Sequence, residues 1–447
     1  MSTRLFGTDG VRGRAGVPPL DVRTIRRLGA ALVKALPAGT EVPHLLVGRD
    51  TRESGTWIER ELAHGVTSAG ASITSAGVIS TPAVAYLTRS QGYSAGLVIS
   101  ASHNPFEDNG IKVFSGAGEK FTETLEAEVE ALVADTSWPD PGGDAAEVLQ
   151  VDLRDEYLAH ASSALAGEFP THARRIAMDC GNGATHGLAP QALRSLGFDV
   201  VAIGCEPDGR NINLGCGSTH PELLSRLVIE RGCQVGVAFD GDGDRAILAD
   251  ATGRSIDGDA VLYRCARQMK VTGRLRGNAV VATVMSNIGL EIALRDLGIG
   301  MVRCAVGDKY VMEEILRDNL SLGGEQSGHI IFADSLYTGD GLVTALNVLR
   351  VMAETGQTLE ALAGGLKTYP QVLLNVRVRE KRDWSAIPRI AEAAAAVEGR
   401  LAGRGRLLVR YSGTEPLLRV MIEGEHQGEI DAWAGEIADA VRAEIGA

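Results

Sequence analysis

The feature that most constrains this chain is a repeated grammar of short, uninterrupted apolar runs, each followed by a helix-like segment. "HLLVGRD" (44–50) leads into "WIERELAHGVTSAG", "RRIAMDC" (174–180) into "ATHGLAPQALRSLG", and "GNAVVATVMSN" (277–287) into "IGLEIALRDLG". A strand with one face in water alternates apolar and polar residues; these runs do not. They argue for parallel sheets covered by helices on both faces. Such sheets bind ligands beyond the carboxyl ends of their strands, and the polar loops of this sequence fall there.

At 447 residues the chain is too long for a single core. The strand–helix grammar occurs in three blocks, and we expect α/β domains at 1–150, 151–253 and 254–368. The polar stretches "TSWPDPGGDAAE" (136–147) and "ADATGRSIDG" (249–258) mark the first two boundaries. After "KTYPQ" (367–371) the pattern changes to a smaller C-terminal α+β unit, 369–447. The blocks share layout, not sequence. A net charge of −13 argues against indiscriminate nucleic-acid binding, so an anionic substrate would need positive residues concentrated locally. The six cysteines form no C-x-x-C pair, which points to reduced thiols, neither a zinc site nor a disulfide framework. No apolar stretch approaches the roughly 20 residues of a membrane helix, and "MSTRLFGTDG" has no apolar core of signal-peptide length. No membrane partner and a cytoplasmic location are therefore expected.

Four loops carry chemistry. In "LVISASHNPFEDNGIKVF" (97–114) a buried strand delivers Ser102 beside His103, with Lys112 on the next apolar run. No G-x-S-x-G is present, so a hydrolase elbow is not supported; Ser102 is either a turn residue or a phosphoryl acceptor flanked by cations. In "GVAFDGDGDRAIL" (236–248), Asp240, Asp242 and Asp244 alternate with glycines, a set able to fold inward on one hard cation. An EF-hand is excluded because position six is Arg245 and position twelve Ala251. Magnesium suits the short carboxylate set, with Arg245 placed to hold a phosphate; a solvated acidic turn is the competing reading. "GGEQSGHIIF" (323–332) offers Glu325, Ser327 and His329, groups suited to sugar hydroxyls, or for Glu325 an ammonium; otherwise it is a structural turn with one buried histidine. "RYSGTEPLLRV" (410–420) sets Arg410, Ser412, Gly413, Thr414 and Arg419 around a turn between strands, a phosphate cradle or a plain hairpin. "FGTDGVRG" adds Arg12, and "GNGATHG" (181–187) is not a dinucleotide fingerprint.

"ISASHNP", "DGDGDR", "GEQSGH" and "RYSGTEP", in that order over nearly the whole chain, resemble the α-D-phosphohexomutase superfamily, and the forms "FGTDGVRG" and "GEQSGH" are most similar to its amino-sugar branch. The resemblance implies three similar mixed-sheet α/β domains and a smaller fourth around a central cleft. It implies interconversion of glucosamine 6-phosphate and glucosamine 1-phosphate, feeding UDP-N-acetylglucosamine and cell-wall precursor synthesis; the glucose- and mannose-phosphate branch is the alternative. Ser102 would be held as a phosphoserine and would bind magnesium together with Asp240, Asp242 and Asp244. Glu325 and Ser327 would contact the sugar, and Arg410, Ser412, Gly413, Thr414 and Arg419 the phosphate that is not reacting. Arg12, His103, Lys112 and Lys309 (in "VGDKY") are candidates for charge stabilisation and proton transfer. A sugar 1,6-bisphosphate would be both intermediate and activator, and a homodimer is compatible with the pattern. A phosphatase using the same serine, or a non-catalytic sugar-phosphate sensor, are the readings from other functional classes.

Overall fold

The structure, a computed structural model, describes residues 5–7, 9–37, 41–165, 169, 174–363, 365–412 and 415–447. They form two compact units, one of residues 1–285 and 299–364, the other of residues 286–298 and 365–447.

The first unit contains three sheets. The first comprises β1 (Val11–Arg14), β2 (His44–Arg49), β3 (Ser72–Val78), β4 (Ala95–Ile99), β5 (Asp108–Ser115) and β6 (Leu149–Gln150). Helices α1 (Val22–Ala35), α2 (Gly55–Ser68), α3 (Thr81–Ser90) and α4 (Glu123–Ala134) accompany it. Asp21 caps α1 by accepting the Thr24 N–H, and Ile25, Leu28 and Leu32 put one buried stripe of that helix on the core. The second sheet has β7 (Arg175–Asp179), β8 (Asp199–Ile203), β9 (Val235–Phe239), β10 (Ala246–Asp250) and β11 (Ser255–Ile256), with α5 (Arg154–Ser162), α6 (Thr185–Ser195) and α7 (Pro221–Arg231). The third follows α8 (Gly258–Val271): β12 (Ala279–Thr283), β13 (Gly300–Cys304), β14 (Leu322–Gly324) and β15 (Ile330–Phe332). The helix between β12 and β13, α9 (Ile288–Asp296), belongs to the second unit; α10 (Asp308–Asp318) and α11 (Gly341–Thr355) stay in the first.

The three sheets repeat one strand order, β5-β4-β2-β3, β10-β9-β7-β8 and β15-β14-β12-β13. This is the shared layout the sequence showed without shared residues. The sheets are mixed rather than purely parallel, and chain length supplies the reason. A parallel crossover needs a dozen or more residues. Only residues 100–107 join β4 to β5, residues 240–245 join β9 to β10, and residues 325–329 join β14 to β15, so each pair turns back antiparallel. The first three of the four loops named above are these connections.

The second unit holds β16 (Gln371–Arg377), β17 (Arg406–Tyr411) and β18 (Leu417–Glu423) in the order β16-β18-β17, with α12 (Pro388–Leu401) and α13 (Gln427–Ile445). Its core is closed by Val376, Ile390, Leu418, Val420, Ile437 and Val441. Among the described residues no helix is long and apolar enough to cross a membrane.

Candidate active site

Strand β4 is buried along its whole length and is followed by Ser100, whose hydroxyl donates to Asp50 at 2.6 Å and accepts the Ser102 N–H at 2.9 Å. Ser102 itself is left-handed, at φ 51°, a conformation that costs a non-glycine residue about 1–3 kcal/mol and persists only where neighbours impose it. Two side chains impose it here. Arg52, buried, donates to the carbonyls of Ser102 (2.9 Å), Asn104 (2.8 Å), Asp108 (3.1 Å) and Pro105, and its Nε pairs with Asp50 at 2.9 Å. Asn213, which follows the second sheet's β8, donates its amide to the same Ser102 and Asn104 carbonyls at 2.9 and 3.2 Å.

The imposed backbone aims the Ser102 hydroxyl at the acidic loop, where it donates to Asp240 Oδ2 at 2.5 Å. Asp240, Asp242 and Asp244 are all buried, and one oxygen of each lies within 4.8 Å of the others. Gly241 permits this approach: a Cβ there would stand 2.5 Å from the Ser102 carbonyl oxygen. Lys112, on β5, donates to Asp242 at 2.8 Å and Asp244 at 3.0 Å, and its ammonium is 3.2 Å from Asp9. Thr81, at the start of α3, adds a 2.6 Å hydrogen bond to Asp242.

Burial, then the charges of Asp244 and Asp242, push the Asp240 carboxyl well above its ordinary range. Burial acts on Asp244 in the same sense, but Lys112, His329 and Arg245 outweigh it and hold that carboxylate low. Burial opposes the charge on Lys112 as well, yet Asp242, Asp244 and Asp9 hold its ammonium well above the ordinary value. Asp242 Oδ1 and Asp244 Oδ1 are buried with no hydrogen-bond partner among the described residues. Hard oxygen donors converging with two oxygens left over fit a divalent cation.

Arg245 donates to His103 Nδ1 at 3.2 Å, and the same nitrogen is 3.3 Å from the Ser102 hydroxyl. Burial first, then Arg245 and Arg12, push the His103 imidazole below its ordinary value against the opposing pull of Asp244 and Asp242. Arg12 donates to the Ala101 carbonyl at 3.3 Å and pairs with Asp9, leaving its buried Nε without a described partner. Ser102, His103, Lys112, Arg12, the three aspartates and Arg245 thus converge on one place.

The third loop joins the second through a bridge between Arg245 and His329. Glu325 accepts the Gly307 N–H at 3.1 Å, and Ser327 is exposed at the turn. His329 is buried, its Nε2 3.2 Å from Asp308, which also pairs with Lys120. Lys309 is buried too, with its ammonium 3.0 Å from Glu126 of α4. These two side chains are each tied to a protein carboxylate.

In the second unit Arg410 and Arg419 lie opposite each other on β17 and β18. Arg419 donates to the Ser412 hydroxyl at 3.5 Å and stands 3.4 Å from Glu415, and its Nε is buried without a described partner. Gly413 and Thr414 lie outside the described residues. Sequence reasoning missed Arg52, Asn213, Thr81, Asp9, Lys120 and Asp308. "VGRDTR" carried a signal for Arg52, an acid–arginine pair at the carboxyl end of a buried strand; Asn213 carried none.

Three repeated sheets thus carry a serine and three buried carboxylates on their return loops, an arrangement suited to phosphoryl transfer beside a divalent cation. Family models for phosphoglucomutase/phosphomannomutase match the chain in order: α/β/α domain I at residues 3–140, domain II at 155–253, domain III at 257–369 and the C-terminal domain at 373–440. The chain belongs to this family, as an enzyme of the α-D-phosphohexomutase superfamily in the branch of the phosphoglucosamine mutases. It is 48% identical over 450 residues to the phosphoglucosamine mutase of Solibacter usitatus, covering 100% of both chains. It is 47% identical over 446 residues to that of Pelotomaculum thermopropionicum, covering 98% of this chain and 99% of the relative. Among solved structures it shares the fold of a Burkholderia thailandensis phosphoglucomutase/phosphomannomutase family protein (TM-score 0.80, 23% identical, covering 99% and 98%). It also shares that of Aspergillus fumigatus N-acetylphosphoglucosamine mutase, solved with GlcNAc-6P and magnesium (TM-score 0.67, 17% identical, covering 98% and 95%).

Proposed function

We propose that this protein interconverts glucosamine 6-phosphate and glucosamine 1-phosphate through a phosphoserine at Ser102. The observation that carries the reading is the Ser102 hydroxyl, forced by a left-handed backbone to within 2.5 Å of Asp240 in a buried carboxylate cluster lined by Lys112, Arg245 and His103. Phosphoryl transfer asks little covalent chemistry of a protein; it asks for positioning and for charge opposite the phosphoryl oxygens. Asp240, Asp242 and Asp244 would hold magnesium together with the phosphoserine, and the ion, when bound, supplies positive charge to the phosphoryl oxygens.

Transfer breaks the bond between phosphorus and Ser102 Oγ as a bond forms from phosphorus to the free C1 hydroxyl oxygen of bound glucosamine 6-phosphate. The product is glucosamine 1,6-bisphosphate, which also activates unphosphorylated enzyme. After the intermediate reverses, its C6 phosphate returns to Ser102 and glucosamine 1-phosphate leaves, a product suited to amino-sugar nucleotide synthesis. Arg12, His103 and Lys112 share charge stabilisation and the movement of the hydroxyl proton. Glu325, Ser327 and His329 serve the sugar, Lys309 adds positive charge to the substrate site, and Arg410, Ser412 and Arg419, with Gly413 and Thr414, grip the distal phosphate.

The test is the intact mass of the purified chain, with mapping of any phosphate. One phosphate at Ser102, removed by excess glucosamine 6-phosphate and restored by glucosamine 1,6-bisphosphate, is the expected result. Failure of the bisphosphate to label Ser102 would overturn the reading. Steady release of inorganic phosphate would instead mark a phosphatase, and faster turnover of glucose or mannose phosphates would move the chain to the other branch.

A further inference from the structure

The segment "FGTDGVRG" brings Asp9 as well as Arg12 to the site. The Leu5 and Phe6 N–H groups both donate to the Glu130 carboxylate at 2.7 Å, which ties the start of the segment to α4. The Gly7 N–H donates to the Gly10 carbonyl at 2.9 Å, and β1 then runs antiparallel to β5 with Val11 opposite Ile111. Gly10, at φ 80°, lies so close to β5 that a Cβ would stand 2.4 Å from the Ile111 carbonyl oxygen and 3.1 Å from Lys112 Cα. The turn therefore sets Asp9 against the strand that carries Lys112.

Lys112 is buried, and its ammonium has three N–H donors and three carboxylates around it: Asp242 at 2.8 Å, Asp244 at 3.0 Å and Asp9 at 3.2 Å. Asp242 and Asp244 are two of the three proposed magnesium ligands, so the lysine and a divalent cation draw on the same negative charge. Two cations sharing one pair of carboxylates repel each other strongly in a buried site.

We propose that Asp9 is a positioning residue for the metal site: it balances the Lys112 ammonium, so that Asp242 and Asp244 keep their charge for a divalent cation. Asp9 is fixed in this role from its other side. Its Oδ1 accepts from Lys120 at 2.6 Å and its Oδ2 pairs with Arg12, while Lys120 is held in turn by Asp308. Burial opposes the charge on Asp9, but Lys112, Lys120 and Arg12 outweigh it and hold the carboxyl well below its ordinary range. Lys120 and Arg12 also offset the Asp9 charge toward the rest of the cavity, so its effect on magnesium runs through Lys112. This inference rests on the reading of Asp240, Asp242 and Asp244 as the magnesium site.

The experiment measures magnesium binding to the full chain by isothermal titration calorimetry, with the phosphate content of Ser102 matched across samples by intact mass. Asp9→Asn should weaken the magnesium Kd about tenfold, the scale of a coupling between groups in contact. In a Lys112→Met background the same replacement should change Kd by less than about twofold. Gly10→Ala alters no charge but forces the turn off Ile111, so it should weaken binding in the same direction, and it carries the test if Asp9→Asn does not fold. An unchanged Kd in either variant, once folded, overturns the proposal. So does an equal loss with and without Lys112, because Asp9 would then act on the cation by its own charge. Absence of magnesium binding by the unaltered protein would instead sink the metal-site reading, and this inference with it.

Discussion

Replacing Arg52 separates what holds the fold from what aims the serine. Its guanidinium has no solvent exposure and serves Asp50 and four loop carbonyls at once. In Arg52→Met, Asp50 keeps its buried position without its partner, a change of about 3–5 kcal/mol. Burial already raises the Asp50 carboxyl against the pull of Arg52, so it has little to spare. The Met variant should therefore lose about 4 kcal/mol in urea denaturation. Arg52→Lys keeps a charge beside Asp50 but has no planar fork, and gives up two or more carbonyl contacts at about 1 kcal/mol each. Against a left-handed backbone costing about 1–3 kcal/mol, that loss lets Ser102 relax out of its conformation. The Lys variant should fold, bind sugar phosphate with nearly unchanged KM, and lose at least about tenfold in kcat and in the rate of phosphate exchange at Ser102. Full turnover in a folded Arg52→Lys variant would refute the idea that the fork positions the serine.

Magnesium at about 100 times its Kd should stabilise the protein by about 2.7 kcal/mol, and Asp242→Asn should abolish the thermal shift; an unchanged shift in the variant would remove Asp242 from the metal site. Burial raises the Asp340 carboxyl from the ordinary 3.8 to about 6. The folded state thus holds this proton more tightly than the unfolded chain, so the stability it contributes is complete below about pH 4 and declines as pH rises toward 6. Asp340→Asn, which can still cap α11 and accept from Tyr157, should gain on the wild type by up to about 3 kcal/mol between pH 4 and 7; denaturation midpoints giving a constant difference would contradict this. In the second unit Glu423, fully buried, accepts from Arg406 (2.8 Å), Asn287 (3.1 Å) and the Ile288 N–H (3.2 Å), and Glu423→Gln should cost about 3 kcal/mol on thermal denaturation. A change below about 1 kcal/mol would show that the ion pair adds little there.

Ser102 and the three aspartates were legible because each set lies in one short loop bounded by apolar runs, so chain order already places them together. Strand direction was less legible: an apolar run has the same composition whether its neighbour is parallel or antiparallel, and only the short connections decide. Arg52 and Asn213 reach Ser102 across 50 and 111 residues of chain, so no local pattern ties either to the serine, although "VGRDTR" marks Arg52 as an arginine paired with an acid at a strand end. His329 and Lys309 were legible as chemistry, but their carboxylate partners were not. Asp308 and Glu126 reach them from elsewhere in the chain, and a histidine or lysine in a polar loop reads the same with or without such a partner. The allegiance of residues 286–298 to the C-terminal unit was likewise hidden, since the Glu423 contacts that hold Asn287 arise far along the chain.

The backbone that carries Ser102 is pinned from two sheets: by Arg52 from the first and Asn213 from the second, while Thr81 of the first sheet's α3 grips Asp242 of the second. Neither sheet can shift without dragging the other, so the target oxygen behaves like a post set in concrete. In the proposed cycle, a sugar bisphosphate that offers first one end and then the other to that post would do the swivelling itself. The serine, approached twice in each such turnover from opposite ends of one molecule, would stay where it is.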